Sequence, residues 1–479
     1  MSAALVYTIV LFLYILILFI IGLVSRKQMG GQAEDFYLGG RNTGAWVSSF
    51  AFVAAYFSSV VIIGGGGFGY KFGMATIWIG AINVLIGATL AWIVLGKKTR
   101  EQTQELNAVT MPEFFAKRYK LPVLQVISAI IITVFMIVYN VSILKGMASI
   151  LEVLMSISYF QGLLISGVII IVYVTLGGYL AVVWTSFFQA WVMLFALILL
   201  TILTLAKVGG FSHAMAQLTA INQQYVQTPG LWGWSGLASY CLIVSFGVWG
   251  MPQLMTRFYS IKNVSVLRIG TILVTFGASM AVLPYLNGAI SRILFPNLKN
   301  ADLAIPYLVK MVMSPLGQAV FLTGVIAAGM STFAAVLIIC VSSLIKDLYE
   351  GGMKRKLDSK THLKYARIAS ITIGILSMLV AIKPPAMILV LTAFSWAVIA
   401  SANLWPFFFG LYQKTPSKNA ALISMVGGSI IALVWLILRN PFGIHGFIPG
   451  VASSLILFVV VSLFTKNIDR NKMSDIVNK

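Results

Sequence analysis

The chain contains 479 residues, of which 59% are hydrophobic and only 9% are charged, whereas ordinary soluble domains carry about 25% charged residues. Apolar stretches of about 20 residues, long enough to cross a bilayer, recur along the whole length. They exclude a soluble protein and predict an all-α, polytopic membrane protein. The net charge of +21 does not indicate a nucleic-acid partner, because the basic residues lie mainly in the loops between the apolar stretches.

Thirteen membrane spans are predicted. If the N-terminus is outside, the inner loops and the C-terminal tail hold 25 of the 33 Lys and Arg residues, and the outer loops hold seven. This asymmetry follows the positive-inside rule, so we expect a multi-pass protein of the cell membrane with a cytoplasmic C-terminus. The predicted spans lie near residues 4–24, 46–70, 74–96, 123–155, 160–178, 183–207, 235–256, 267–290, 316–345, 366–382, 386–411, 419–438 and 444–465.

Two of the spans carry signals of an interrupted helix. The second span has serines at 58–59 followed by glycines at 64–67, and the seventh has a run rich in Ser, Gly and Pro at 245–252. A broken helix is tolerated in a bilayer where the break lines a cavity inside the protein. If spans 2–6 and 7–11 form two halves, each half opens with a broken helix and the second half is inverted, as in many secondary transporters. The alternative is that the glycines only allow close helix packing.

The fourth span contains a lysine, Lys145, inside an otherwise apolar run. Burying an ammonium group at the centre of such a helix costs roughly 2.5–3.5 kcal/mol. Its side chain could snorkel to the membrane surface. It could instead bind the carboxylate of a substrate, or act as an internal cation that replaces or modulates sodium. The helix direction favours these last two interpretations, because side chains tilt toward the N-terminus and this one therefore points to the bilayer centre.

The ninth span places Ala328, Ser331 and Thr332 on one helical face, at positions i, i+3 and i+4. Their hydroxyls and a nearby carbonyl are neutral oxygen ligands, and carbonyls of a broken helix could complete a site for a monovalent coupling ion. The alternative is that both hydroxyls bond back to carbonyls of their own helix.

Neither an enzyme nor a transition-metal site is predicted. The two cysteines, Cys241 and Cys340, both fall inside predicted spans, and the three histidines fall in loops. Cysteines so placed do not form a disulfide framework or a zinc site. No histidine can be brought together with a carboxylate at one depth in the bilayer, so we expect no catalytic residues and no metal other than sodium.

Several motifs together resemble the sodium:solute symporter family, and the similarity is greatest to its pantothenate and proline permease branch. They cover nearly the whole chain in order. The resemblance implies a LeuT-type fold of five plus five helices with flanking helices. The motifs are GGRNTGAWVSSFAFVAAYFSS, GYKFG, NAVTMPEFFAKRY, LGGYLAVVWTSFFQ, MSTFAAVLIICVSSLIKDLY and KPPAMILVLTAFSWAVIASANLWPFFFGLY.

The resemblance also implies where the binding sites lie. It places a sodium ion between the second and ninth spans. The implied sodium ligands are the carbonyls of Ala54, Phe57 and Ala328 and the hydroxyls of Ser331 and Thr332. The implied substrate residues are Tyr56 and Ser58 in the second span and Trp249, Pro252 and Gln253 in the seventh.

The sixth span departs from the family pattern. Much of the family carries an aspartate in a T-D-x-x-Q sequence near the sodium site, whereas this chain has Ser186 at that position. Among the twelve acidic residues, the sequence places only Glu152 inside a predicted span. The chain thus lacks the membrane carboxylate and carries a membrane ammonium, Lys145. Ser186 and Lys145 are therefore candidates for a role in ion coupling.

We therefore predict a transporter that imports a small organic solute, carrying a carboxylate, together with sodium by alternating access. The alternative is a proton-coupled or sodium-independent transporter in which Lys145 substitutes for a coupling cation. A channel or a membrane sensor is less well supported, since no filter repeat or output domain is apparent. The expected partners are the solute and the lipid bilayer, without an obligate protein partner. The predicted parts are residues 1–45 (first span and inner loop), 46–412 (inverted-repeat core) and 413–479 (two spans and a tail).

Overall fold

The computed structural model of the protein describes residues 3–26, 41–355 and 357–477, without the side chains at 22–26, 173–181 and 466–477. Most of the predicted loop at 25–45 lies outside these residues. The described chain is almost entirely helical. Its membrane helices, in chain order, are Ala3–Arg26, Ala45–Tyr56 with Val60–Phe72, Met74–Glu105, Val123–Met155, Tyr159–Lys207 (which holds the fifth and sixth predicted spans), Gly230–Gly250 with Pro252–Ser260, Val266–Leu294, Pro315–Gly352, Ser359–Ala381, Ile388–Tyr412, Lys418–Ile437 and Phe447–Val477.

Each of the thirteen predicted spans coincides with a helix among the described residues. Eleven of these helices are long and apolar enough to cross a membrane, and the bent pair in the second span makes a twelfth. The predicted fifth and sixth spans lie in one continuous helix, Tyr159–Lys207, in which the part that belongs to the fifth span, Tyr159–Val172, is a shorter apolar stretch. Hydropathy therefore located the membrane helices correctly, and we keep the ordinal names of the spans below.

The second span is broken at the predicted serines. Its first helix ends at Tyr56, and Phe57 is extended, with φ −77° and ψ 94°. The helix resumes at Val60 with a bend of 49°. The last carbonyls of a helix have no partner within that helix, so the break frees carbonyl oxygens in the middle of the protein.

The glycines at 64–67 do not form the break; they lie in helical backbone that continues to Phe72. They allow other elements to approach the second span closely. A Cβ added at Gly66 would lie 2.1 Å from Ile305 Cγ1, and one added at Gly65 would lie 3.2 Å from Tyr285 Cζ. The packing role considered for these glycines is therefore observed one to two turns away from the break.

The seventh span is also interrupted. The helix Gly233–Ser245 tightens into a 3₁₀ turn at Phe246–Gly250, Met251 is extended, and a new helix begins at Pro252. Proline suits this first helical position because its fixed φ is helical and it has no N–H to satisfy. Gly250 lies against the backbone of Ala400, where an added Cβ would be 2.8 Å from the Cα atom. Both halves of the core therefore begin with a broken helix.

The ninth span forms the centre of the fold. In its most apolar stretch, 94% of the residues are buried inside the protein. It packs against the first, second, fourth and sixth spans. One membrane face, which we call the basic face, holds the short helix Met111–Tyr119 and the connection between the ninth and tenth spans. The opposite face holds the helix Ala304–Val312 and the start of the eleventh span.

Candidate functional site

The broken second span and the ninth span meet at a cluster of oxygen atoms. Ser331 Oγ donates to the carbonyl of Ala54 at 2.9 Å and lies 3.0 Å from the carbonyl of Ala328. Thr332 Oγ1 lies 3.4 Å from the Ala54 carbonyl and 3.1 Å from that of Ala328. The structure thus brings together four of the five residues predicted to bind sodium, all of them completely buried.

The fifth predicted residue differs. The carbonyl of Ala55, rather than that of Phe57, lies 3.2 Å from Thr332 Oγ1. Within the described residues, no side chain of the ninth span donates to the Phe57 carbonyl. The cluster consists of neutral hydroxyl and carbonyl oxygens, the ligand type that discontinuous helices offer to sodium. The two hydroxyls both face the carbonyls of the broken helix and bond back to the Ala328 carbonyl of their own helix, so the two arrangements considered above occur together.

Ser186 lies on the sixth span, one helical turn before a residue that packs against this cluster. Its hydroxyl is buried and has no hydrogen-bond partner among the described residues. One helical turn later, Ala190 packs with Ala54 and Phe50 of the second span. Gln189 of the same motif donates to the hydroxyl of Tyr14 in the first span at 2.8 Å. The position that holds an acid in much of the family therefore presents an uncharged hydroxyl here.

A central cavity lies beside the first break. It provides about 20 Å³ of space for water, enough for one or two molecules. Two residues predicted to bind substrate, Tyr56 and Ser58, lie in its wall, so the break does face a cavity. The remaining wall is formed by Val60, Val61, Tyr139, Ile243, Val244, Tyr285, Leu389, Thr392, Ala393 and Trp396.

None of the three predicted substrate residues of the seventh span, Trp249, Pro252 and Gln253, lines this cavity. Trp249 donates from Nε1 to the carbonyl of Ile86 at 3.0 Å and stacks on Phe408. Gln253 is 2% exposed, and neither atom of its amide has a hydrogen-bond partner in the described part of the chain. An unpaired buried amide is costly, so Gln253 is a polar group that a different conformation could satisfy.

Two aromatic wall residues, Tyr285 and Trp396, were not predicted to bind substrate. Trp396 presents an indole N–H that is buried without a partner among the described residues, and Tyr139 packs edge-on against it at 5.7 Å between ring centroids. The hydroxyls of Ser142 and Thr392 lie 2.8 Å apart. The sequence did contain a signal for Trp396, because this tryptophan lies inside one of the motifs that resemble the family. Nothing in the sequence pointed to Tyr285.

Lys145 is buried and paired with an acid. Its Nζ lies 2.6 Å from Asp302 Oδ2 and donates to the carbonyl of Ala386 at 2.9 Å. The same Asp302 oxygen accepts from the backbone N–H of Ile388, at the start of the eleventh span, at 3.2 Å. The side chain of Asp302 is fully buried, and that of Lys145 is 11% exposed. The pair therefore joins the fourth span, the loop before the ninth span and the beginning of the eleventh.

This pair changes the charge inferred from the sequence. Asp302 lies in a connecting segment, Ala301–Leu303, but that segment is folded into the protein. Burial raises the pKa of the Asp302 carboxyl, and the Lys145 ammonium opposes that shift. The ammonium is thus balanced by a carboxylate and does not line the central cavity.

Two solved structures share the fold. A Na⁺-coupled sialic acid symporter in a substrate-bound, outward-open state matches with a TM-score of 0.78 and 18% identity, covering 96% of this chain and 98% of that one. Mhp1, a nucleobase-cation-symport-1 family transporter in a closed conformation with bromovinylhydantoin bound, matches with a TM-score of 0.56 and 14% identity, covering 90% and 94%. The expected LeuT-type architecture is confirmed.

Sequence comparison gives the family. The sodium/proline symporter of Staphylococcus aureus (strain JH9) is 31% identical over 97% of this chain and 95% of its own length. The sequence model of the sodium:solute symporter family matches residues 36–428. Members of this family are transporters rather than enzymes, and they move a solute together with sodium by alternating access. The chain belongs to the sodium:solute symporter family.

Proposed function

We propose that this symporter imports a small solute bearing a carboxylate, with L-proline as the first candidate. The identity to sodium/proline symporters over nearly the whole chain supports this choice. The central cavity also suits an apolar ring, since aromatic and aliphatic side chains form most of its wall. Polar groups are few there and include the Ser58 hydroxyl and the Trp396 indole N–H, as is common for small-ligand sites.

The coupling ion is sodium, bound between the second and ninth spans. The observation that carries this proposal is the convergence of the Ala54 and Ala328 carbonyls on the hydroxyls of Ser331 and Thr332. Proton coupling, or sodium independence with Lys145 in place of the ion, is less well supported. The ammonium already has a carboxylate partner in Asp302, so its charge is not free to occupy an ion site.

The basic face is the cytoplasmic face, and the opposite face is outside. The distribution of Lys and Arg between the loops supports this orientation. The central cavity has room for one or two water molecules but not for an amino acid. The structure therefore corresponds to a closed state, and entry of the solute requires the helices around the two breaks to move, as in alternating access.

Uptake into proteoliposomes tests the proposal. We expect L-proline to accumulate under an inward sodium gradient and not under a proton gradient alone. The substitutions Ser331→Ala and Thr332→Ala should each raise the sodium concentration for half-maximal uptake about tenfold or more, because each removes an oxygen that stabilises the ion. Ser342→Ala is the matched control, since this buried hydroxyl of the same span bonds to the Ile339 carbonyl of its own helix.

The possible results separate the candidates. Unchanged sodium dependence in both variants would show that the ion binds elsewhere. Uptake driven by a proton gradient without sodium would establish the alternative. Sodium-dependent uptake of another carboxylate solute, without uptake of L-proline, would keep the sodium site and reject the proposed solute.

A further inference from the structure

A groove of about 240 Å³ lies between the ninth and tenth spans, toward the basic face. We call it the lateral groove. The ninth span contributes Leu344 and Ile345 near its end, and the tenth span contributes residues from Tyr365 to Ile373 that share one face of the helix. The groove is therefore a recess between two membrane helices, away from the central cavity.

The tenth span exposes its side of the groove to the bilayer. Only 28% of the residues in its most apolar stretch are buried inside the protein. Ile368, in the groove wall, is 51% exposed, and Ile371 and Ile375 of the same helix are also exposed. The hydrocarbon core of a bilayer contains no water to cover such side chains. The groove is therefore in contact with lipid.

The wall of the lateral groove favours hydrocarbon over water. The hydroxyl of Thr372 donates to the carbonyl of Ile368 in its own helix, at 3.0 Å. The other described side chains of the wall are hydrocarbon, apart from the Tyr365 hydroxyl at the end nearest the basic face. A bound water molecule needs two to four polar partners, and an empty recess loses the dispersion contacts of its walls. An acyl chain supplies those contacts.

Contacts on both sides of the groove fix its shape. At the end nearest the basic face, His362 Nδ1 lies 2.9 Å from Glu350 Oε1 and joins the start of the tenth span to the end of the ninth. The rings of Tyr349 and Tyr365 also meet there edge-on, with centroids 6.2 Å apart. Deeper in the membrane, a Cβ added at Gly374 would lie 2.6 Å from a side-chain atom of the fifth span. The tenth span is thus held at both ends of the groove.

A lysine flanks the groove at the level of the lipid headgroups. Lys364 precedes Tyr365 and lies one helical turn before Ile368. Side chains of a helix tilt toward its N-terminus, which in the tenth span lies at the basic face, so the Lys364 ammonium extends toward the membrane surface. Lys364 is exposed and forms no ion pair within the described residues.

The connection between the ninth and tenth spans adds further positive charge. Residues 353–367 contain six Lys and Arg residues and one acid, Asp358. The Asp358 carboxylate accepts from the backbone N–H groups of Lys360 and Thr361, so it caps the tenth span. Lysine and arginine residues at a membrane surface attract anionic headgroups. The charge beside the groove therefore complements an anionic lipid.

We propose that the lateral groove is a binding site for an anionic phospholipid from the leaflet on the basic face. One acyl chain lies in the groove against Ile345, Ile368 and Ala369, and the phosphate lies at the level of Lys364. The apolar wall selects the chain, and the excess of cations selects an anionic over a zwitterionic headgroup. The site is independent of which solute the protein transports.

A photoreactive lipid tests this site. The full-length protein is placed in phosphatidylcholine nanodiscs with a trace of phosphatidylglycerol that carries a diazirine in one acyl chain, and the labelled peptides are identified by mass spectrometry. We expect labelling to concentrate on the groove residues of the ninth and tenth spans. Unlabelled phosphatidylglycerol should suppress this labelling at a several-fold lower concentration than phosphatidylcholine.

Variants of the groove wall test the place of the acyl chain. Ala369→Phe fills the groove and should remove most of the labelling. Thr372→Phe is a second filling variant if the first does not fold, because Thr372 is exposed to the bilayer. Leu379→Phe is the matched control, since Leu379 is an exposed residue of the same helix, two turns beyond the groove.

Variants of the charge test the headgroup. Lys364→Gln should weaken the competition by phosphatidylglycerol about fivefold, the effect of one lysine near a membrane surface. Lys364→Arg should retain it, because the charge is kept. Lys418→Gln should also retain it, since it removes an exposed cation that belongs to the twelfth span and does not line the groove.

Three results would overturn the lipid site. Equal competition by the two lipids would remove the preference for an anionic headgroup. Labelling that persists in both filling variants would place the lipid elsewhere. A dimer in native mass spectrometry that the filling variants abolish would assign the groove to contact between two copies of the chain. None of these results depends on uptake of L-proline, because photolabelling does not require transport.

Discussion

Lys145→Met is expected to destabilise the protein strongly, because it removes one partner of a buried ion pair. The Asp302 carboxylate would keep its bond to the Ile388 N–H but lose the ammonium at 2.6 Å. Its side chain has no exposed surface through which water could replace the lost partner. Breaking a buried pair from one side costs roughly 3–5 kcal/mol. The reverse change, Asp302→Asn, should cost less, since Lys145 keeps 11% of its side chain exposed.

Removing both charges should restore much of the stability. Replacing both members of a buried pair by neutral groups is often close to neutral in free energy. The Lys145→Met/Asp302→Asn double variant should therefore be more stable than Lys145→Met alone, with a coupling energy of about 2–3 kcal/mol. The measurement is a double-mutant cycle of unfolding free energies in detergent micelles. Additive effects of the two single changes would refute the ion-pair reasoning.

Uptake by the same three variants separates structure from function. If the pair only joins the fourth and eleventh spans, the double variant should regain transport together with stability. If Lys145 binds the solute or takes part in coupling, as the sequence suggested, the double variant should be stable but inactive. Full uptake and unaltered pH dependence in Lys145→Met would reject both a coupling role and the need for the pair.

Two further predictions concern stability. Burial lowers the pKa of His445 from its ordinary value of 6.5 to about 4, so between these pH values the unfolded chain binds more protons than the folded protein. The melting temperature should therefore fall as the pH decreases from 6.5 to 4. The fall should be smaller in His445→Gln. Gly69→Ala should cost about 1–3 kcal/mol or more of unfolding free energy, since the added methyl group would lie 2.1 Å from a backbone oxygen of Tyr285. Gly44→Ala is its control, because an added Cβ there has no contact within 4 Å; equal melting temperatures for the two alanine variants would contradict this reasoning.

The sequence predicted the two helix breaks but not the role of each residue near them. Serine and glycine marked both regions, proline also marked the seventh span, and both breaks are observed there. Glycine, however, serves two physical purposes: it permits unusual backbone conformations, and it permits close packing. In the second span the glycines serve the packing purpose, at Ile305 and Tyr285, while the extended residue at the break is Phe57. The sequence pattern alone could not show which of these two purposes the glycines serve.

The two candidate sites differed in how far they could be predicted. The oxygens of Ser331 and Thr332 come from one helix face, so their spacing in the sequence sufficed to group them. The central cavity is built from residues of four or more spans, and its composition depends on the rotation of each helix. Trp249 shows the consequence: its place in the broken span was predicted, but its side chain faces Ile86 instead.

The partner of Lys145 lay beyond the reach of hydropathy, and the reason is general. Hydropathy assigns each residue to a span or a loop, and a loop acid is then assumed to be hydrated. Asp302 is 157 residues away from Lys145 in sequence, yet its segment folds back into the protein and buries the carboxylate against the ammonium. A charged residue in a span can therefore be called unpaired only when the positions of the connecting segments are known, because a loop residue can supply its partner. Here those segments bring a carboxylate to the Lys145 ammonium, which is why a sodium ion remains the better-supported coupling cation.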